Sequence, residues 1–145
     1  MTTNAIWHQR ASLAQLNSAK NTLVEHLGIE FIELGDDFIK ARMPVDHRTV
    51  QPMGLLHGGA SVALAETLGS SGAYLCVDPA KYVVVGLEIN ANHVRAVRDG
   101  WVTGTARPLH RGKTTQLWEI RITDAADKLV CISRLTMAVL DKPAR

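Results

Sequence analysis

The chain has 145 residues, 46% hydrophobic and 21% charged, a globular composition that suits one domain with its own core and excludes disorder. A formal charge of +2, aromatic residues at 5% and no basic run between them give nucleic-acid binding no footprint. Cys76 and Cys131 are too few for a disulfide framework or a metal cluster, and both sit in apolar runs where reduced thiols are the expectation.

Met1 to Ser12 lacks the charged-then-apolar order of a signal peptide. No apolar stretch approaches the ~20 residues that span a bilayer. Together these predict a cytoplasmic protein without a membrane segment. Leu13, Leu16, Leu23 and Leu27 fall roughly at helical spacing, with Gly28 as the stop, and predict an N-terminal helix. Ile29–Leu34 and Phe38–Met43 read as strands joined by Gly35-Asp36-Asp37.

A loop carrying Pro44 and Pro52 leads to the segment from His57 to Cys76, which is rich in Ala, Leu and Gly and almost free of charge. Its length and small residues predict a helix wrapped closely on most sides. Beyond Pro79 the pattern turns to period two, with Val83, Val85, Leu87 and Ile89 opposite Val84, Gly86, Glu88 and Asn90. Arg98-Asp99-Gly100 marks a turn, and Trp101–Leu109 reads as the next strand. Another follows, with Trp118, Ile120 and Ile122 on one face. A turn at Asp124–Lys128 precedes the last strand, Leu129–Leu140. Short turns between the later strands predict an antiparallel meander. One apolar helix with six strands is an α+β fold in which the sheet curls around the helix.

Glu66 is the only acid between Asp46 and Asp78, and it sits among Ala63, Leu64, Ala65 and Leu68. It either marks a solvent-facing stripe or is a functional carboxylate, because burying one in apolar surroundings is costly. His57-Gly58-Gly59 opens the helix with bare, approachable amides at the positive end of the dipole. That is either a plain glycine turn or an oxyanion site. Serine hydrolysis through a similar loop needs a Gly-x-Ser-x-Gly elbow, and Gly69-Ser70-Ser71-Gly72 does not supply one. Eight residues part Gly58 from Glu66, ~12 Å of helix, so one carbonyl cannot touch both in a single chain. If both act together, the site joins two subunits of a symmetric oligomer.

Ser70 lies one turn beyond Glu66 and either orients a water or bonds back to its helix. Gln51 could donate to a carbonyl, or be an ordinary loop residue. His93 ends a strand, where a structural role is the commoner one. Arg95, Arg98, Arg107, His110, Arg111 and Lys113 gather in two neighbouring stretches; they suit the phosphates of a nucleotide-like ligand, and solvated strand ends look the same. No His, Cys or Asp pair has metal-ligand spacing.

Gln51-Pro52-Met53-Gly54-Leu55-Leu56-His57-Gly58-Gly59-Ala60-Ser61, followed by Glu66, resembles the hotdog-fold thioesterases of the phenylacetic-acid-pathway type. Val85-Gly86-Leu87-Glu88-Ile89-Asn90-Ala91-Asn92-His93 is similar to the branch holding 1,4-dihydroxy-2-naphthoyl-CoA thioesterases of menaquinone synthesis and the proofreading thioesterases of enterobactin synthesis. The resemblance implies a single hotdog domain over residues 1–145, with the long helix inside a curved antiparallel sheet. It also implies a homodimer with shared sites, pairing again into a homotetramer.

By the same resemblance, Gln51 and His57 orient the thioester and the Gly58 amide polarises its carbonyl. Glu66 of the other subunit is nucleophile or general base, and Ser70 positions water. His93 lies near the aryl or pantetheine pocket, and Gly86, Arg95, His110, Arg111 and Lys113 join it as substrate-binding candidates. The implied reaction is hydrolysis of an aromatic acyl-CoA without metal or organic cofactor. Alternatives are a proofreading enzyme for carrier-protein thioesters, then a hydratase or dehydratase, then a non-catalytic acyl-CoA sensor.

Overall fold

A single helix from Leu13 to Leu27 does not form. The computed structural model describes residues 4–144, so Met1 to Thr3, the start of the stretch read above for a signal peptide, and Arg145 lie outside the described residues. Within it the leucines divide between two four-residue helices, α1 (Leu13–Leu16) and α2 (Leu23–His26). Ser12 and Gln15 form a reciprocal capping box that starts α1. Thr22 caps α2, accepting from the Glu25 amide at 3.4 Å. Between them Asn17 leaves the helix and turns its side-chain amide to Phe31, donating to the carbonyl at 2.9 Å and accepting from the N–H at 2.7 Å. Two hydrogen bonds to a strand replace the next helical turn, and Asn21 then takes a left-handed φ of 57°.

The strand readings hold to within about two residues. Strands β1 (Glu30–Leu34) and β2 (Ile39–Pro44) pair as an antiparallel hairpin. A side chain on Gly35 would collide with the Phe38 ring, which is why the turn carries glycine. Helix α3 (Gly58–Leu75) follows, then β3 (Tyr82–His93), β4 (Trp101–Arg111), β5 (Thr115–Thr123) and β6 (Leu129–Asp141). All pairings are antiparallel, in the order β1-β2-β4-β5-β6-β3. The meander β4-β5-β6 is therefore present, and β1 and β3 are the sheet's free edges.

Helix α3 lies on this sheet, and its buried residues recur at helical spacing: Ala60, Ser61, Leu64, Ala65, Leu68, Gly69, Gly72 and Ala73. Leu64 and Leu68 are wholly buried, and each such side chain contributes about 1.5–3 kcal/mol. A Cβ on Gly69 would sit 2.6 Å from Leu135, and one on Gly72 would sit 2.7 Å from the Trp118 ring. Small residues thus let the helix backbone settle onto β5 and β6. Among the described residues no helix is long and apolar enough to cross a membrane.

Strict alternation fails in β3. Gly86 pairs with Met137 and Glu88 with Thr136, leaving Leu87 as an extra residue in a bulge. Before the bulge Val84 packs on the core; after it Ile89 and Ala91 do. Val83, Val85, Leu87 and Ile89 therefore do not share a face. The extra residue reverses the phase, and Val85 and Leu87 stay exposed on the free edge.

Candidate active site

The loop entering α3 is held firmly. Buried Thr49 donates its hydroxyl to the Pro44 carbonyl at 2.7 Å, and its own carbonyl accepts from the His57 N–H at 2.8 Å. Arg48 hydrogen-bonds Asp46 at 2.7 Å and holds that carboxyl down at about 2. The Leu56 N–H donates to the Val97 carbonyl at 2.7 Å, fixing the loop to the segment after β3. Gln51 accepts from the Met53 N–H through its side-chain oxygen, which leaves its NH₂ free to donate.

His57 is the N-cap of α3. Its Nδ1 accepts from the Gly59 N–H at 2.7 Å, so the neutral imidazole carries its proton on Nε2. The Ala60 and Ser61 amides donate to the His57 carbonyl. Among the described residues the Gly58 N–H has no acceptor. The two glycines have separate steric reasons. A Cβ on Gly58 would lie 2.8 Å from His93 Nε2, and one on Gly59 would lie 2.9 Å from the His57 ring. Bare backbone here makes room for two imidazoles around one unclaimed donor at the positive end of an 18-residue helix.

Two turns along, Glu66 is half-buried, and among the described residues it has no hydrogen-bond or ion-pair partner. A Cβ on Gly86 would lie 2.9 Å from its Oε2. Gly86 is thus the gap in β3 through which the carboxylate reaches the sheet edge. Ser70, one turn on, directs its hydroxyl to the Met137 sulfur at 3.8 Å, a weak contact.

The candidates fall into two groups within one chain. Gly58 and His93 face each other at one end, and Glu66 and Gly86 at the other. Both α3 and β3 keep the groups apart, by eight residues of helix and seven of strand.

The basic residues fall into two separate sets. Arg95 and Arg98 lie in the segment beyond His93; the Asp124 carboxyl is held low chiefly by the Lys128 backbone N–H, with Arg95 a smaller contributor. Arg107, His110 and Arg111 lie at the other end of β4 and line a cavity of ≈ 480 Å³ with Ile6 and Asp37. Trp101 and Arg111, the ends of β4, are ten residues or ~33 Å apart, which separates the two sets. Arg107 pairs with Asp37 at 3.5 Å, Arg111 donates to the Ile6 carbonyl at 3.4 Å, and Lys113 lines a second cavity with Arg111 and Cys76. Burial pushes the Cys76 thiol up to about 11.

One feature is absent from the sequence reading. A cavity of ≈ 540 Å³ lies between the second half of α3, with Ser70, Ser71 and Tyr74, and the N-terminal residues Gln9 to Leu16. Its early signal is Trp7, an aromatic residue ahead of any predicted element. Trp7 stacks on Trp118 with centroids 6.3 Å apart and donates to the Gly35 carbonyl at 2.7 Å, fastening the N-terminal segment to the core.

The comparisons agree with this architecture. Residues 53–131 match the thioesterase superfamily. The chain is 52% identical over 136 residues to the 1,4-dihydroxy-2-naphthoyl-CoA hydrolase of Escherichia coli, covering 93% of this chain and 99% of that protein. It is 54% identical over 136 residues to the proofreading thioesterase EntH of Cronobacter turicensis, covering 93% and 98%. A crystal structure of a Pseudomonas aeruginosa thioesterase mutant superposes with a TM-score of 0.94 at 53% identity, covering 95% of this chain and 100% of that one. Six antiparallel strands packed on one long helix, the match over residues 53–131 and relatives of this identity place the chain in the thioesterase superfamily, with the hotdog fold and thioester hydrolase activity.

Proposed function

We propose that the chain is a single-domain acyl-CoA thioesterase working as a homodimer on an aromatic acyl group, 1,4-dihydroxy-2-naphthoyl-CoA or a benzoyl-type thioester. The observation that carries the site is the unclaimed Gly58 N–H at one end of α3 and the unpartnered Glu66 carboxylate at the sheet edge. A two-fold axis near Ile89 and Asn90 would lay β3 against its copy and bring Gly86 of one chain opposite His93 of the other. Each Glu66 would then meet the partner's Gly58. The free edge of β3 and its exposed Val85 and Leu87 support that pairing.

In this site the Gly58 N–H and the Gln51 NH₂ donate to the thioester oxygen as negative charge develops there. His57 presents its Nε2–H beside them. Glu66 takes the proton of a water oriented by Ser70, or attacks the carbonyl itself. The C–S bond breaks and CoA leaves as the thiol after protonation; the water route gives the acid directly, and the direct route leaves an acyl–Glu66 anhydride that water then hydrolyses to the acid and free Glu66.

The substrate assignment rests on the relatives' names and the motif resemblance. On the same ground the product belongs to menaquinone biosynthesis, the dimers pair into a homotetramer, and the reaction is cytoplasmic, where free thiols such as Cys76 and Cys131 persist. The relative named as a proofreading thioesterase supports carrier-protein thioesters as the second reading.

Thiol release is the test. kcat/KM for dihydroxynaphthoyl- and benzoyl-CoA should exceed that for butyryl-CoA, and Glu66→Gln should remove at least about 10²-fold of the rate while folding normally. Faster turnover of the aliphatic thioester, or a folded and fully active Glu66→Gln protein, overturns the assignment. Aroyl thioesters on a carrier protein, run alongside, decide between the two carriers.

A further inference from the structure

We propose that the N-terminal segment is a specificity element, in which Arg10 reads an oxygen substituent at the far end of the acyl group held beside Glu66. This rests on the thioesterase site proposed above and goes beyond it to a residue outside the motif.

The ≈ 540 Å³ cavity is of the size that encloses small ligands. Ser70 on its wall is one helical turn beyond Glu66. Val84, also on its wall, is two residues before Gly86 on the same inward face of β3. The cavity thus begins one helical turn from Glu66 and runs along the second half of α3, where an acyl group with its carbonyl at Glu66 would extend.

The opposite wall is not a loose tail. The amides of His8 and Gln9 donate to the Leu75 carbonyl at 2.9 and 3.2 Å, and buried Trp7 is stacked and hydrogen-bonded just before them. Arg10 follows directly on this anchor.

Its chemistry narrows the ligand. Among the described residues Arg10 is the one charged residue lining the cavity, and it has no ion-pair partner. Gln9 donates to the Tyr74 carbonyl at 3.4 Å, and Gln15 uses its side-chain oxygen to accept from the Ser12 N–H. Among the described residues the donors left are the guanidinium, the Gln15 NH₂ and the Ser71 and Tyr74 hydroxyls, and only the first is charged. A guanidinium has five donors and no acceptor, so it selects a phenolic or carboxylate oxygen over a bare hydrocarbon end.

The experiment measures thiol release from benzoyl-, 3-hydroxybenzoyl- and 3-carboxybenzoyl-CoA by wild-type protein, Arg10→Ala, Arg10→Lys and Arg10→Glu. The wild type should prefer the oxygen-bearing rings. In Arg10→Ala the ratio of their kcat/KM to that of benzoyl-CoA should fall about tenfold, the size of one charged hydrogen bond, and the loss should appear chiefly in KM. Arg10→Glu should lower the carboxylate's ratio further, and Arg10→Lys should recover part of it. An unchanged ratio in Arg10→Ala and Arg10→Glu, or an equal loss on all three substrates, overturns the proposal while the thioesterase site stands. No turnover by the wild type of any of the three or of dihydroxynaphthoyl-CoA overturns both together, and turnover of dihydroxynaphthoyl-CoA alone overturns the Arg10 proposal only.

Discussion

Half-site complementation gives the sharpest test of a shared site. Within one chain Gly58 and Glu66 are ~12 Å apart along α3, and Gly86 and His93 hold their surroundings apart along β3. Glu66→Ala removes the acid half and leaves the His57–Gly58 half. His57→Asn removes the imidazole and keeps an N-cap, because the asparagine oxygen can accept from the first-turn amides as Nδ1 does now. Each protein alone should be nearly inactive.

Co-expressed at equal levels with random pairing, about half the dimers are mixed, and each mixed dimer has one intact and one doubly damaged site. About a quarter of all sites are then wild type, so thiol release should return to about a quarter of the wild-type rate. Differently tagged chains and two-step purification enrich assemblies that hold both variants, whose rate should be about half of wild type for dimers and somewhat above a quarter where dimers pair into tetramers. A purified mixed assembly as inactive as its parents would refute the shared site and require each chain to complete its own.

Gly86→Ala puts a methyl 2.9 Å from Glu66 Oε2, some tenths of an ångström inside normal contact. Since a 1 Å misplacement can cost 10²-fold, kcat should fall about tenfold with little change in Tm; an unaltered kcat would mean Glu66 is not positioned by this gap. The Cys76 thiol, pushed up to about 11 by burial, is protonated at pH 7–8. Iodoacetamide should therefore modify the native protein far more slowly than the unfolded one, with the rate still rising above pH 9, and rapid alkylation at pH 7 would contradict the burial. Leu68 is wholly buried where α3 meets β4 through Gly104, so Leu68→Ala should lose about 2–5 kcal/mol in urea unfolding.

Most of the fold is legible in local pattern. The hairpin at Gly35, α3 and the meander follow from periodicity and turn residues because each is settled by neighbours in sequence. At the N-terminus leucine spacing alone suggests one helix, whereas two local start signals, Ser12-x-x-Gln15 and Thr22-x-x-Glu25, mark two. What ends α1 is Asn17 bonding to Phe31, fourteen residues away, and no local pattern carries that. Likewise the basic residues are close in sequence but divided by the length of β4. Glu66 was conspicuous as a lone acid; the reason for Gly86 was not, since it lies in the packing of a strand against a helix.

The bulge at Leu87 links the strand misreading to the chemistry. Gly86 and His93 are seven residues apart, an odd number, so a regular strand would turn them to opposite faces. One extra residue makes the phase even. Gly86 then clears Glu66 and His93 meets Gly58, both on the face toward α3. Deleting Leu87 removes the extra residue and leaves the two six residues apart, an even number, so regular alternation keeps both on that face. The pairing with β6 needs no shift, because Gly86 already pairs with Met137 and Glu88 with Thr136. Deleting Leu87 and Glu88 together leaves them five apart, an odd number, and turns one of the two away from α3.

The expected result is an antiparallel sheet intact by far-UV circular dichroism in both proteins, with thiol release within about tenfold of wild type after the single deletion and down at least about 10²-fold after the double one. A folded single deletion as inactive as the double one, or a double deletion with wild-type kcat, would show that the phase of β3 does not set the geometry of Glu66.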